Sequence, residues 1–182
     1  MDKLARLPAE GRRDIFREAA ARLGIRPTII EKDFWVCVAL KFLFRKSRFG
    51  KSLVFKGGTS LSKVHGLIER FSEDIDLVLD WKPIGFGDGL RDPMQDFTSK
   101  AKQDQFNKEI NRLAADYIAK TLCPELEELL RQENLGLSAT VDRDDPHTVD
   151  IRYPAAFAET YIAQKSASKS ARLPRGCPPL RT

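Results

Sequence analysis

The stretch that decides the fold runs from Phe55 to Asp80 and reads FKGGTSLSKVHGLIERFSEDIDLVLD. It begins at the end of a short apolar segment, breaks at two adjacent glycines, and continues with apolar residues at helical spacing. It ends in a second apolar segment, in which three aliphatic residues alternate with Asp74 and Asp76 as in a β-strand. The stretch therefore predicts the order strand, glycine turn, helix, strand.

The two aspartates of the second strand predict a metal site. Side chains alternate along a strand, so Asp74 and Asp76 share one face. Neighbouring carboxylates repel each other unless a cation neutralises them. Carboxylate oxygens suit Mg²⁺, which takes one or two carboxylates and completes its shell with water and substrate phosphates. An isolated D-x-D on a strand is more often a solvated or salt-bridged edge, so this interpretation depends on the rest of the stretch.

The glycine turn predicts a phosphate site. Gly57, Gly58, Thr59 and Ser60 lie between the first strand and the N-terminus of the helix. Glycine lets a phosphate approach the backbone, and the free N–H groups and the helix dipole attract it. Ser60 adds a hydroxyl donor, and Lys63 adds a positive charge one helical turn later. A phosphate site opposite a metal-binding carboxylate pair is what phosphoryl or nucleotidyl transfer requires.

The order of these parts is more specific than each part alone. Gly58 and Asp74 are separated by 16 positions. Strand, GG[ST], amphipathic helix and D-x-D strand in this order resemble the active-site signature of the polymerase-β-like nucleotidyltransferases. The Walker A pattern G-x-x-x-x-G-K-[ST] is absent from the sequence.

A longer resemblance narrows the family. EKDFWVCVALKFLF, followed by LVFKGGTSLSKVHGLIERFSEDIDLVL, closely resembles the AbiEii/AbiGii-type nucleotidyltransferase toxins of bacterial abortive-infection, type IV toxin–antitoxin systems. The resemblance covers Pro27 to Asp80 and extends to the IRYPAAF stretch near Ile151. It implies a polymerase-β-like fold, a nucleoside triphosphate (NTP) substrate, an RNA acceptor such as tRNA, and a cognate antitoxin.

The resemblance also assigns site residues. Asp74 and Asp76 would be catalytic and would ligate Mg²⁺. The remaining positions would bind the nucleotide or lie along its pocket: Gly57, Gly58, Thr59, Ser60, Lys63, Arg70 and Ser72.

The sequence departs from the family pattern at its C-terminal end. Two-metal transfer normally uses a third carboxylate, and the family carries a later lysine and aspartate that have no counterpart here, so we expect a C-terminally truncated chain. Asp150 is a candidate third acid, or else a solvent-facing strand residue. Three hypotheses stay open: a toxin that transfers a nucleoside monophosphate (NMP) to a hydroxyl, a small-molecule adenylyltransferase, and an inactive remnant that binds nucleotide or antitoxin.

The whole chain predicts an α+β fold, a small mixed sheet flanked by helices. We expect a nucleotidyltransferase domain over residues 1–164, with N-terminal helices at 12–44, a catalytic core at 52–80, helices at 95–133 and strands at 137–153. Thr28 and Glu31 have capping-box spacing at the start of the second helix. Residues 165–182 lack periodicity and acidic residues, which predicts a disordered basic tail.

Charge and composition limit the function classes. The net charge of +5 comes from the tail, because five of the 31 basic residues and none of the 26 acidic residues follow Glu159. Bulk charge is therefore no argument for nucleic-acid binding. The first residues have no apolar segment typical of a signal peptide, no segment approaches the ~20 apolar residues of a membrane span, and the three cysteines are scattered. We expect a cytoplasmic protein.

Overall fold

Helices and two small antiparallel sheets form the α+β fold of this chain. The computed structural model describes residues 1–56, 75–86 and 99–157. The helices are α1 Asp2–Ala5, α2 Ala9–Leu23, α3 Pro27–Lys41, α4 Lys100–Tyr117 and α5 Cys123–Gln132, with π-helical turns at Phe42–Lys46 and Ile118–Leu122 and 3₁₀ turns at Arg48–Lys51 and Lys82–Ile84. The strands are β1 Leu53–Lys56, β2 Asp76–Leu79, β3 Ser138–Val141 and β4 Val149–Arg152.

The predicted N-terminal helices are confirmed, but the predicted capping box is wrong. α2 ends at Gly24, whose φ of 67° is the left-handed conformation that glycine adopts without a steric penalty. α3 starts with Pro27 in its first turn, where the missing N–H costs nothing, and its N-cap Arg26 makes no side-chain capping bond. Glu31 does not bond back to the N-terminus of the helix, because its carboxylate bonds to a distant segment.

Glu31 and Arg12 hold the chain after β4 against α2 and α3. Glu31 is 2% exposed, and its carboxylate accepts hydrogen bonds from the backbone N–H groups of Ala156, at 2.6 Å, and Phe157, at 3.3 Å. Arg12, 5% exposed, donates to the carbonyl oxygen of Pro154 at 2.6 Å. Buried backbone groups need such partners, so these two side chains determine where the segment of residues 154–157 lies.

The Glu31 carboxyl makes the stability of the fold depend on pH. Burial raises the pKa of Glu31 above its ordinary value of 4.5, against the opposing effects of the two backbone N–H groups and the Arg12 charge. The folded state therefore retains a proton that the unfolded state has released, and stability falls as the pH rises from about 4.5 through the folded pKa.

We predict that Glu31→Gln removes this part of the pH dependence. The free energy of unfolding of the wild type, minus that of Glu31→Gln, should be largest near pH 4.5 and should fall as the pH rises. Denaturant unfolding at several pH values measures it. Glu10→Gln, at an exposed position of α2, is the matched control. A difference that grows with pH would contradict the prediction.

One helical run links α4 to α5. The sequence predicts separate helices that meet before Pro124, whereas α4, the π-helical turn and α5 follow each other directly. Proline lacks the N–H for a helical bond and crowds the preceding turn. The wider turn at Ile118–Leu122 lies where this crowding occurs, so the chain remains helical up to Pro124 instead of forming a loop. Phe106 and Ile110 are buried on α4.

The turn from α3 into β1 depends on a close backbone approach. The Ser47 hydroxyl donates to the Leu43 carbonyl oxygen at 2.6 Å and accepts from the Phe49 N–H at 3.2 Å. At Gly50, an added Cβ would lie only 2.7 Å from the carbonyl oxygen of Phe44. Glycine is therefore required at this position because a larger side chain would clash, and not because of its backbone angles.

We predict that Gly50→Ala destabilises the fold by about 1–3 kcal/mol, the usual cost of overpacking. Gly11→Ala is the matched control, because the new methyl group would meet only Leu7, at 3.8 Å, and alanine favours the helix. Denaturant unfolding should show Gly11→Ala equal to or more stable than the wild type. Equal stabilities for both variants would refute the spatial argument.

The strands form two separate antiparallel pairs within the described residues, β1 with β2 and β3 with β4. The predicted strands are thus confirmed, while the predicted mixed sheet is wrong for this part of the chain. Aliphatic side chains from both pairs and from the α4–α5 run line a small cavity of about 40 Å³. The two pairs are therefore held together by a common apolar core and not by strand-to-strand hydrogen bonds. None of the described helices is long and apolar enough to cross a bilayer.

Candidate functional site

The β1–β2 pair has one apolar side and one polar side. In its register Leu53 pairs with Leu79, and Phe55 pairs with Leu77. These four side chains belong to the hydrophobic core or pack against it, and Leu79 is 1% exposed. The alternate positions carry Val54, which is 58% exposed. The side that carries Val54 is therefore the side on which a substrate could lie.

Lys56 and Asp76 are direct cross-strand partners on this polar side. Both are half-buried, and they occupy the end of the pair at which β1 leads toward Gly57 and β2 begins. Residues directly opposite each other in an antiparallel pair have Cα atoms about 4.5–5.5 Å apart. Backbone pairing thus places a lysine and an aspartate at neighbouring positions on this side.

Asp80, the other acidic residue of the described segment 75–86, has a local structural role. Its Oδ1 accepts from the N–H of Trp81 at 2.6 Å and from the N–H of Lys82 at 3.4 Å, which caps the following 3₁₀ turn. Its own N–H donates to the carbonyl oxygen of Ser52 at 2.7 Å, which extends the strand pairing. Of the two acids, Asp76 is therefore the one left to act on a ligand.

Most of the predicted site lies outside the described residues. Asp76 is the described member of the set. The others are Gly57, Gly58, Thr59, Ser60, Lys63, Arg70, Ser72 and Asp74.

Asp150 does not come together with Asp76. On β2, Asp76 lies between Ile75 and Leu77, which line the small cavity, and on β4 Asp150 lies between Val149 and Ile151, which line the same cavity. Each carboxylate is therefore on the side of its strand that faces away from the cavity, and apolar side chains separate the two. The described residues contain no group of three or more metal-binding side chains close enough to share an ion. Among the described residues, Asp150 and Asp76 therefore do not form one site.

Lys56 was missed by the sequence reasoning. The predicted strand ends at Phe55, and Lys56 received no role, since nothing in β1 alone shows what lies opposite it. Pairing the polar positions of both predicted strands, with Val54 opposite Val78, would have found it.

Comparison with known families decides the assignment. Residues 41–169, more than half of the chain, match the family model described as "Nucleotidyl transferase AbiEii toxin, Type IV TA system". The chain belongs to the AbiEii nucleotidyl transferase toxin family. No curated protein and no solved structure matches the chain, so the polymerase-β-like fold stays a prediction.

Membership in the AbiEii family has consequences for the site just described. A type IV toxin of this family implies a nucleotide substrate and a cognate antitoxin. The match includes β1, β2 and the strand pair β3–β4, while α1, α2 and most of α3 precede it. Lys56 and Asp76 therefore lie in the AbiEii part of the chain, and Arg12 and Glu31 lie in a preceding part that packs against it.

We predict a favourable coupling between Lys56 and Asp76. In a double-mutant cycle with Lys56→Met and Asp76→Asn, the coupling in the free energy of unfolding should be about 0.2–1 kcal/mol, as for opposite charges across a strand pair. It should shrink as salt is added, because both side chains are only half-buried. A coupling of zero at low salt would mean that the register brings the two charges together without an interaction.

Proposed function

We propose that this AbiEii-family chain is a Mg²⁺-dependent nucleotidyltransferase that moves an NMP from an NTP to a hydroxyl group of RNA and releases pyrophosphate. The observation that carries the proposal is the polar side of the β1–β2 pair, where Asp76 and Lys56 stand opposite each other and Lys56 directly precedes Gly57 in the chain. The family match covers this segment.

The donor set fits Mg²⁺. Asp76 offers hard carboxylate oxygens from a half-buried position, and the sequence predicts that Asp74, two residues earlier, shares its face. Bound Mg²⁺ would stabilise negative charge on the transferring phosphoryl group. Asp76 would hold this ion at a fixed place, since the register of β2 against β1 determines where its side chain projects.

Lys56 has a separate role in this proposal. A lysine on the strand that leads into a phosphate-binding turn can donate to phosphate oxygens and neutralise part of their charge. We therefore place the triphosphate between Lys56, the turn of Gly57 to Ser60 and the aspartates.

The experiment that tests the proposed function compares two aspartates of one segment. Purified wild type, Asp76→Asn and Asp80→Asn are incubated with Mg²⁺, each α-labelled NTP and total bacterial RNA. We expect label on RNA with the wild type and with Asp80→Asn, because asparagine keeps the oxygen that accepts from Trp81 and Lys82. Asp76→Asn should lose at least about a hundredfold of the rate, the usual scale for a group that stabilises transferring charge.

The other outcomes separate the alternatives. Label on a small hydroxyl compound instead of RNA would favour a small-molecule adenylyltransferase. NTP binding without any transfer would favour an inactive remnant. Transfer that survives in Asp76→Asn would refute the proposed role of Asp76.

A further inference from the structure

A run of basic and aromatic residues passes from α3 to β1. Between Phe34 and Lys56 the chain has six basic residues and no acidic one, although the first 164 residues together are neutral. The run therefore concentrates positive charge that the bulk composition hides. Its members are Lys41, Arg45, Lys46, Arg48, Lys51 and Lys56, and Phe42, Phe44, Phe49 and Phe55 lie between them.

Two of these cations are held by acids of the α5 region. Lys46 forms an ion pair with Glu133, and Arg48 forms one with Glu125. These pairs draw the two side chains toward α5. Arg45 is exposed in the same turn and takes part in no ion pair with another described residue, so its charge is available to a ligand.

A groove lies beside this run. It has a volume of about 660 Å³, within the usual range for ligand sites, and we call it the α3–β1 groove. Its walls include the rings of Phe44 and Phe55, whose centroids are 6.2 Å apart. Lys41 and Arg45 line it as well. The complete lining is Met1, Asp2, Cys37, Leu40, Lys41, Phe44, Arg45 and Phe55.

The combination of ring faces and cations points to one class of ligand. Proteins bind single-stranded nucleic acid by stacking unpaired bases on aromatic side chains while cations contact the phosphates. An apolar peptide would not need the two cations, and a free phosphate would not need the aromatic walls. Phe55, a wall of the groove, directly precedes Lys56 in β1, and the two side chains point to opposite faces of the strand.

We propose that the α3–β1 groove binds a single-stranded segment of the RNA acceptor. One base lies against Phe44 and Phe55, and the flanking phosphates contact Lys41 and Arg45. The identity of the ligand as an RNA acceptor rests on the proposed function, whereas the position of the groove and its chemistry do not. RNA held here lies beside β1, and the last residue of that strand, Lys56, faces the polar side on which the transferred NMP would arrive.

Asp2 competes with such a ligand. Its carboxylate oxygens lie 2.5 and 2.6 Å from the Lys41 ammonium nitrogen, and this contact lowers the pKa of Asp2. The Asp2 side chain is 66% exposed, and exposed ion pairs of this kind are weak. An RNA phosphate can therefore displace Asp2 from Lys41, and removing the carboxylate should strengthen RNA binding.

The test measures RNA affinity without catalysis. Fluorescence anisotropy follows a labelled single-stranded RNA of about 12 nucleotides, with the full chain, without NTP and at several salt concentrations. Arg45→Ala should weaken binding and reduce the slope of log affinity against log salt by about 0.7, the value for one phosphate contact in a single strand. Arg143→Ala, an exposed arginine in the β3–β4 turn, is the matched control and should change neither.

Two further variants separate stacking from charge. Phe44→Leu keeps an apolar side chain against the core but removes the ring, so affinity should fall about tenfold with the salt slope unchanged. Its thermal unfolding midpoint should stay close to that of the wild type, which checks the fold. Asp2→Asn should raise affinity about twofold or more at low salt, since a like-charge competitor of the phosphate is gone.

Some results would overturn the proposal. Equal losses of RNA affinity in Arg45→Ala and Arg143→Ala would mean that RNA binds through general charge attraction and not in the groove. Unchanged RNA affinity in both Arg45→Ala and Phe44→Leu would mean that the groove does not bind RNA and would favour a protein partner instead. A duplex of the same length that binds as tightly as the single strand would also contradict it, because stacking needs unpaired bases.

The assay also distinguishes the two proposals. If Arg45→Ala still transfers a nucleotide to RNA with unchanged KM, RNA binding in the groove is refuted, whereas the proposed nucleotidyltransferase activity is not. If the variants show the expected losses of RNA affinity but the wild type transfers no nucleotide, the groove proposal is supported and the proposed transferase activity is refuted.

Discussion

The register between β1 and β2 is the constraint on which the candidate site depends. With Leu53 opposite Leu79, the apolar residues of both strands enter the core, and Lys56 and Asp76 meet on the other side. A slip of one residue in either strand would send its polar side chains into the core and its aliphatic ones to solvent. Burying an unpaired carboxylate is costly, so the same interactions that stabilise the fold also position Asp76.

The helices before the family match contribute to this arrangement from a distance. Arg12 and Glu31 bind the backbone of residues 154–157, just after β4, and β4 lines the cavity shared with β2. Trp35 stacks on Tyr153 with ring centroids 5.6 Å apart, which adds an aromatic contact at the same place. α2 and α3 therefore fix the end of the second strand pair, whose side chains form the apolar support beneath the candidate site.

Local patterns in the sequence predicted the elements well, because helices and half-buried strands carry their own periodicity. The alternation of Ile75, Leu77 and Leu79 correctly predicted β2. The capping box failed because Glu31 has a second use: it bonds to backbone groups 125 and 126 positions away, which no local spacing reveals. Lys56 was missed for a related reason, since its significance depends on the strand opposite.

β1 links the two proposed binding regions through its own geometry. Phe55 faces the α3–β1 groove and the core, while the next residue, Lys56, faces the polar side with Asp76. A strand has little freedom to rotate one of these side chains without the other, because successive side chains point to opposite faces. Gly50 and Ser47 fix how the chain enters β1 from α3, through contacts with the backbone of residues 43, 44 and 49. The aromatic wall and the charged pair therefore keep a constant separation, which is what a site needs if an RNA end is to be held in one region and receive a nucleotide in the other.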